Sequence, residues 1–217
     1  MLDTDARATY DRVVRAILAL VVILSAATAS AQTAFIQGGA GRDIRRFSGD
    51  AETSVFDGSA GSFTAAVGGH VLPHWILSAE FDAGQRSSQS TTTTVTINGL
   101  PRDIHTSYAS DRRSLSALVG YETTARHRVQ FVYAAGLSFT TFRRDISSDG
   151  EEIVLQSPAP GSRYTSRLSG AIAGVDTVIH IAPHLALVPG VRVQGLAIDP
   201  DLGAFSIRPS AAARISF

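Results

Sequence analysis

The sequence predicts an all-β fold in which eight antiparallel strands form an up-and-down barrel. Three observations lead to this prediction. The last thirteen residues, 205–217, alternate strictly between apolar side chains and side chains that are small, hydroxylic or charged. Seven further segments carry the same period of two, which is typical of a strand with two different faces. The connections between these segments alternate between short turns and longer polar stretches.

The chain is expected to be exported, with residues 1–31 as a cleaved signal peptide and residues 32–217 as the barrel domain. Three arginines precede an apolar run of nine residues, 16–24, and small residues then lead to Ala-Ser-Ala at 29–31. This order is typical of a secretory signal with cleavage before Gln32. An uncleaved anchor is the alternative, but the apolar run is far shorter than the roughly 20 residues of a spanning helix.

The strands differ in how clearly they are patterned. The first is glycine-rich and alternates weakly, whereas the sixth is apolar on both faces, so its register is set by pointing Asp176 and His180 inward. The expected strands cover approximately residues 34–45, 61–72, 75–85, 112–123, 129–143, 166–181, 185–198 and 205–217.

Short turns are expected at 73–74, 125–128 and 182–184, where proline or polar residues interrupt the pattern. The longer connections are expected at 48–60, 86–110, 144–165 and 199–204. The stretch 86–110 is interpreted as a long loop because it is rich in Ser and Thr. Strand extensions beyond the membrane are the other possibility, since Asn98-Gly99 is a strong hairpin-turn pair.

The charged residues decide which face points inward. A soluble lipocalin-like barrel would also alternate, with its apolar face lining the interior. Here, charged residues lie opposite the aromatic and branched ones: Glu80, Asp82, Glu122, Asp176, Arg192, Arg208 and Arg214. In hydrocarbon an Arg would cost roughly 2–4 kcal/mol near the midplane, whereas inside a barrel opposite charges can pair. The sequence therefore predicts a transmembrane barrel with a polar interior, and the soluble binding barrel is the alternative.

The carboxyl-terminal strand ends on Phe217, without a polar tail. An export signal, eight strands, asymmetric connections and this terminal Phe together resemble the small outer-membrane barrels of Gram-negative bacteria, the OmpA/OmpX-like and opacity-like proteins. The resemblance implies location in the outer membrane, contact with outer-membrane lipid, and a monomer. It also implies that Phe217 is part of the signal that the barrel-assembly machinery reads. An aromatic girdle is expected at the short-turn end, formed by Trp75, Tyr121, Phe131, Tyr133 and Phe217.

The interior is predicted to hold an ion-pair network. Counting from the short turns places Asp82, Arg192 and Arg208 at similar heights. The complete predicted set is Asp82, Arg192, Arg208, Glu80, Asp176 and Arg214. An eight-stranded barrel is only wide enough for its own side chains, so the network is interpreted as a plug. A narrow channel for small solutes or ions is the alternative.

Composition excludes several classes of function. The formal net charge is zero, so no basic excess argues for nucleic acid, and the absence of Cys excludes disulfides and thiolate catalysis. No cofactor and no metal are expected, because His74 and His184 do not follow a known ligand spacing.

The chain is not expected to be an enzyme. The candidate for catalysis is His105, which lies near Asp103, Ser107 and Ser110, but such a cluster arises by chance in a Ser-rich stretch. A structural or surface-interaction role remains, in which an extracellular ligand would contact 48–60, 86–110 or 144–165. These stretches could instead be hydrophilic cover.

Overall fold

The protein is described by a computed structural model that covers residues 33–48, 58–97, 100–124, 128–148, 163–199 and 202–217. The expected signal peptide lies outside these residues. The described chain forms eight strands, namely β1 (Ala34–Ser48), β2 (Gly58–Leu72), β3 (Trp75–Ile97), β4 (Leu100–Glu122), β5 (Val129–Ser148), β6 (Arg163–Ala182), β7 (Leu185–Asp199) and β8 (Leu202–Ser216). No helix in these ranges is long and apolar enough to cross a membrane.

Each strand pairs antiparallel with its neighbour in the chain, and β8 pairs with β1, so the sheet closes on itself. The predicted all-β, eight-stranded antiparallel barrel is therefore confirmed. Closure removes the exposed edges that an open sheet would have at its first and last strands.

The apolar faces point outward and the polar faces inward. Exposed side chains include Phe81 on β3, Phe139 on β5 and Phe205 on β8, whereas Asp82 on β3 and Arg208 on β8 are almost fully buried. This is the reverse of the arrangement in a soluble barrel, whose interior is its apolar core. Strand β6 follows the same rule, because Asp176 is buried.

Within 86–110 the described residues form strands, so the interpretation as a long loop is wrong and the alternative of strand extensions is observed. Strands β3 and β4 continue as a ladder up to the pair Ile97 and Leu100. Thr is β-branched and favours extended backbone, and the hairpin residues whose side chains are described are mostly exposed, although Ile104 is buried. The polar composition that resembled a loop is therefore that of a solvated β-hairpin.

The other outer connections are also shorter than expected. Strand β5 runs to Ser148 and β6 starts at Arg163, so the ends of the expected loop 144–165 belong to the ladder. Strands β7 and β8 pair as far as Asp199 and Leu202, which leaves two residues of the expected connection 199–204 between them. Most of 48–60 and the centre of 144–165 lie outside the described residues.

Of the five aromatic residues expected at the short-turn end, Trp75, Tyr121 and Tyr133 are close together on three adjacent strands, whereas Phe217 follows β8. Trp75 is the ladder partner of Tyr121, which is the ladder partner of Tyr133. The rings of Trp75 and Tyr121 meet edge to face, with their centroids 5.5 Å apart. Amphipathic rings at this level match the position of an interfacial girdle.

The glycines of β1 explain its weak pattern. Gly39 points inward, where an added Cβ would lie 2.3 Å from Ala211 O and 2.5 Å from Ala212 Cβ of β8. Its neighbour Gly38 points outward, and an added Cβ there would meet nothing within 4 Å. Glycine at position 39 therefore allows β1 to lie against β8 where the barrel closes.

We expect Gly39→Val to impair closure of the barrel, because the new side chain would collide with the backbone of β8. Overpacking of this kind costs typically about 1–3 kcal/mol. The measurement is the fraction of heat-modifiable, folded protein on electrophoresis in detergent, together with the urea midpoint.

Gly38→Val is the matched control, since it makes the same chemical change one residue away on the open face. The control should fold like the wild type. Equal loss of folding in both variants would show that β1 tolerates no side chain on either face, contrary to the steric explanation.

Candidate functional site: the polar lumen

The lumen is the interior of the barrel, and inward-facing ionisable side chains fill its middle. Glu80 and Asp82 lie two residues apart on β3, so a period of two directs both into the lumen. Arg192 and Arg208 are direct ladder partners on β7 and β8. Two arginines side by side would repel each other unless carboxylates lay between or beside them.

Arg192 is held by two carboxylates. Its Nη1 and Nη2 donate to the two carboxylate oxygens of Asp176, at 2.6 and 2.8 Å. Its Nε donates to Glu80 Oε2 at 3.2 Å. The other carboxylate oxygen of Glu80 accepts a bond of 2.6 Å from Arg208 Nη2. Glu80 therefore bridges the two neighbouring guanidinium groups.

The contacts continue from Arg208 across the lumen to β1. Arg208 Nη1 lies 2.8 Å from Asp82 Oδ1, and Arg112 Nη2 donates to the same oxygen. Arg112 Nη1 is 3.3 Å from Asp43 Oδ2, which is 3.2 Å from Arg45 Nε. The contact of Arg208 with Asp82 and these last two are ion pairs by distance without hydrogen-bond geometry, since Arg208 Nη1, Asp43 Oδ2 and Arg45 Nε have no hydrogen-bond partner in the described residues.

The result is a chain of eight alternating charges, here called the lumenal charge chain. Its members, in order of contact, are Asp176, Arg192, Glu80, Arg208, Asp82, Arg112, Asp43 and Arg45. All eight residues are buried. Such charges are tolerated in a low-dielectric interior only when they are paired and hydrogen-bonded, so each member depends on its neighbours.

A layer of hydroxyl and amide groups lies against the charge chain. Gln194 Nε2 donates to Ser138 Oγ at 2.6 Å and to Thr140 Oγ1 at 2.9 Å. Ser206 Oγ donates to Asp43 Oδ1 at 2.7 Å. These small polar groups fill the lumen near Arg112 without adding charge.

Five of the six residues predicted for the network lie in the lumenal charge chain. Arg208 contacts both Asp82 and Glu80, whereas Arg192 contacts Glu80 and Asp176. The sixth, Arg214, is not in contact with them. Its Nε donates to Gln37 Oε1 at 3.0 Å, and its guanidinium lies over the Phe35 ring at 4.2 Å from the centroid.

Sequence reasoning missed Asp43, Arg45 and Arg112. The first two lie on the weakly patterned β1, where inward glycines hide the alternation. Arg112 was taken as the first residue of its strand, beside a presumed loop. Counting by two from Gln37 would have placed Asp43 and Arg45 inside the barrel.

An apolar layer separates most of the charge chain from the short-turn end. Its members are Phe35, Ile76, Val132, Val178, Ala186, Val188 and Ala212. A cavity of about 20 Å³ remains between this layer and Glu80, Asp176, Arg192 and Arg214. That volume holds about one water molecule.

The histidines at the short-turn end serve the backbone and the rim. His74 has a φ of 67°, and its Nδ1 lies 3.0 Å from Glu122 O. His184 occupies the equivalent place in the second Pro-His turn, with Nδ1 3.0 Å from Ser216 O. His70 Nε2 lies 2.6 Å from Glu122 Oε2. His127 lies outside the described residues.

His105 and Asp103 belong to the outer hairpin. His105 Nδ1 lies 2.8 Å from Thr92 Oγ1, and Thr94 Oγ1 donates to Asp103 Oδ1 at 2.6 Å. Both are cross-strand contacts of a kind that stabilises a β-ladder. Within the described ranges, no group of three His, Cys, Asp or Glu side chains could hold a metal ion.

We expect Arg192→Met to destabilise the barrel by about 3–5 kcal/mol, because it leaves the buried Asp176 carboxylate without its bidentate partner. The double variant Arg192→Met/Asp176→Met removes both charges and should recover at least about 1 kcal/mol of that loss. Glu80 keeps its contact with Arg208 in both variants. The measurement is the free energy of unfolding in urea, in detergent or lipid.

Arg102→Met is the control, because Arg102 is exposed on the hairpin. It should change the unfolding free energy by less than about 0.5 kcal/mol. If Arg192→Met behaved like this control, the charge chain would be solvated rather than buried.

Comparison with solved structures shows which known proteins share this fold. Neisserial surface protein A (NspA) has a TM-score of 0.51 and 17% identity, over 85% of this chain and 97% of its own. The outer membrane protein OprG of Pseudomonas aeruginosa has a TM-score of 0.52 and 12% identity, over 86% and 96%. A major outer membrane protein of Thermus thermophilus has a TM-score of 0.50 and 14% identity, over 86% of this chain and 100% of its own.

No model of a known protein family and no curated protein sequence matches the chain. At these low identities the structural likeness establishes the fold alone. The predicted resemblance to small outer-membrane barrels is thus confirmed at the level of architecture.

Proposed function

We propose that the protein is an integral outer-membrane barrel with a surface-interaction role, carried by its outer hairpin, and with a lumen filled by side chains. Exposed apolar residues on the outer wall support the membrane location. On β5 the outward series is Phe131, Tyr133, Ala135, Leu137 and Phe139. Water would make such a wall an aggregation surface, whereas hydrocarbon solvates it.

The height of this apolar belt fits a membrane. From Phe131 to Phe139 the strand rises about 27 Å at about 3.4 Å per residue. With the tilt of about 40° that is usual in such barrels, this corresponds to a height of about 21 Å, close to the apolar band of about 25 Å in outer-membrane barrels. Thr141 and Arg143 follow at the end of the belt nearer the hairpin.

The single observation that carries the proposed role is the β3–β4 hairpin. Strand β2 pairs with β3 only as far as Gly84, whereas β3 and β4 continue as a ladder to Ile97 and Leu100. The thirteen residues from Gln85 to Ile97 extend the hairpin by roughly 43 Å along the strand. A rigid ladder of this length holds its residues well outside the barrel.

The hairpin also offers an unpaired backbone edge. In the described part of the chain, residues 85–97 of β3 pair only with β4. Free N–H and C=O groups along such an edge can add a strand from another chain. This edge favours an interaction role over hydrophilic cover.

The filled lumen argues against the alternative of a channel. The lumenal charge chain crosses the barrel from β6 to β1, and an apolar layer lies below it. A solute would have to break several buried ion pairs to pass, which makes the interior a structural plug. Among the described residues of the lumen there is no accessible pair of nucleophile and base, which supports a role other than catalysis.

The experiment compares the wild type with a variant in which residues 87–110 are replaced by a two-residue Asn-Gly turn. We expect both to migrate as heat-modifiable barrels and neither to give discrete conductance steps in planar bilayers. Cells that display the wild type should bind to arrays of glycans and extracellular proteins, and cells with the trimmed variant should lose that binding.

Three results would contradict the proposal in different ways. Discrete conductance steps of the wild type would favour the channel. Equal array binding by both proteins would show that the hairpin does not carry the surface interaction. Recovery of the wild type as a soluble protein without detergent would exclude the membrane location.

We further propose that Phe217 serves assembly rather than stability. Its backbone N–H donates to Ala34 O at 2.8 Å, but its side chain is 67% exposed. Phe217→Ala should therefore keep the wild-type unfolding midpoint after refolding in detergent, because the backbone bond remains. In cells the variant should accumulate less in the outer membrane, as measured by fractionation.

Leu187→Ala is the control, as another exposed apolar residue at the short-turn end. It should reach the membrane in normal amounts. If Phe217→Ala assembled as well as this control, Phe217 would have no role in assembly.

A further inference from the structure

Three arginines form a cluster on the outer wall of the barrel. Arg113 on β4, Arg143 on β5 and Arg167 on β6 are all exposed and point away from the lumen. Thr141 is the direct ladder partner of both Arg113 and Arg167. Arg143 follows Thr141 by two residues and therefore points to the same side. The three arginines therefore occupy positions around Thr141.

The spacing brings these side chains within reach of one small anion. Direct ladder partners have Cβ atoms about 4.5–5.5 Å apart, and diagonal neighbours are about 7–8 Å apart. Arg143 is the diagonal neighbour of both Arg113 and Arg167. Arginine carries a planar fork of donors that suits phosphate oxygens, and the hydroxyl of Thr141 adds a fourth donor at the centre.

The cluster lies at the edge of the apolar belt. Two residues nearer the short turns, the corresponding ladder row contains Leu115, Phe139 and Ser169. Leu115 and Phe139 belong to the outward apolar face. In a membrane this boundary is where lipid headgroups begin, on the side of the long hairpin.

The charges of the cluster are not neutralised by carboxylates in the described part of the chain. Asp111 is the ladder partner of Arg143, but no ion pair joins them. One row further out, Arg86 is paired with Asp145 at 2.9 Å. Counting Asp111, the cluster retains an excess of two positive charges, which favours binding of an anion.

The cluster is confined to one side of the barrel. On the other side, β1 also carries two exposed arginines, Arg42 and Arg46, but they flank the exposed Ile44, and Arg42 donates to Ser59 Oγ at 2.7 Å. A uniform ring of charge around the rim would indicate general attraction to an anionic surface. Three arginines on adjacent strands, around one threonine, indicate a site of defined stoichiometry.

We propose that Arg113, Arg143, Arg167 and Thr141 bind the phosphate group of a membrane lipid headgroup. This inference rests on the membrane location proposed above. The adjoining belt would hold the acyl chains of the same lipid, while the charge-assisted hydrogen bonds hold its phosphate. A free phosphate ion would gain nothing from Leu115 and Phe139, so the position favours a lipid.

The test uses native mass spectrometry of the folded protein, released from nanodiscs of phosphatidylcholine that contain phosphatidic acid as the probe. The wild type should retain one phosphatidic acid. The variant Arg113→Gln/Arg143→Gln/Arg167→Gln should bind it on the order of 100-fold more weakly, from about fivefold for each arginine at an anionic surface.

The control variant Arg42→Gln/Arg46→Gln/Arg102→Gln removes the same charge from exposed positions elsewhere. Its affinity should fall less than about threefold. An equal loss in both variants would mean bulk electrostatics and would overturn the site. If the wild type retained phosphatidylcholine as well as phosphatidic acid, the site would not recognise the negative charge of the phosphate, and the proposal would be overturned.

Inorganic phosphate distinguishes the two possible sources of the anion. If millimolar phosphate displaced the lipid completely, the site would be one for a free anion, and the lipid assignment would be wrong. If the wild type failed to enter phosphatidylcholine nanodiscs at all, both the proposed membrane location and the proposed lipid site would be wrong. Heat-modifiable migration of all variants before incorporation ensures that each comparison concerns folded protein.

Discussion

Charge compensation inside the barrel is the constraint on which the rest of the structure depends. Arg192 and Arg208 are neighbours on adjacent strands, and Glu80 separates their charges by contacting both. Because each buried charge requires a partner, β1, β3, β4, β6, β7 and β8 must meet in one register. The polar interior in turn requires that the apolar side chains turn outward. The ion pairs therefore determine both the closure of the barrel and the environment that it needs.

The interior and the exterior of the barrel have different roles. Buried ion pairs lie in the lumen, and the two features proposed to bind other molecules lie on the outer surfaces. The hairpin of β3 and β4 projects an unpaired edge, and the outer wall of β4, β5 and β6 carries three arginines around Thr141. Both features involve β4, the strand that connects the hairpin to the wall. A ligand at the hairpin and a lipid at the wall would thus be linked through one rigid element.

Much of the fold could be predicted from the sequence, because a period of two is visible wherever one face is apolar and the other polar. The alternation from Phe205 to Phe217 is the clearest case, and β8 has the predicted orientation. The pattern fails where few positions of a strand are apolar, as in the hairpin, where Thr92 and Thr94 look like loop residues. It also fails where steric contact removes the side chain, as at Gly39. Asp43 was missed for that reason, and Arg112 because its strand was started too late.

The seam between β1 and β8 has a consequence for how the barrel selects its final pairing. A shift of two residues would keep every side chain on its proper side, but it would bring Gln37 or Asp43 to the place of Gly39 or Gly41, where an added Cβ meets the backbone of β8. Two polar contacts oppose such a shift, one between Arg214 and Gln37 and the other between Ser206 and Asp43. A misaligned seam would leave these polar groups in the interior without their partners. The first and last strands thus oppose mispairing in two ways, by steric contact at the glycines and by loss of polar contacts inside the barrel.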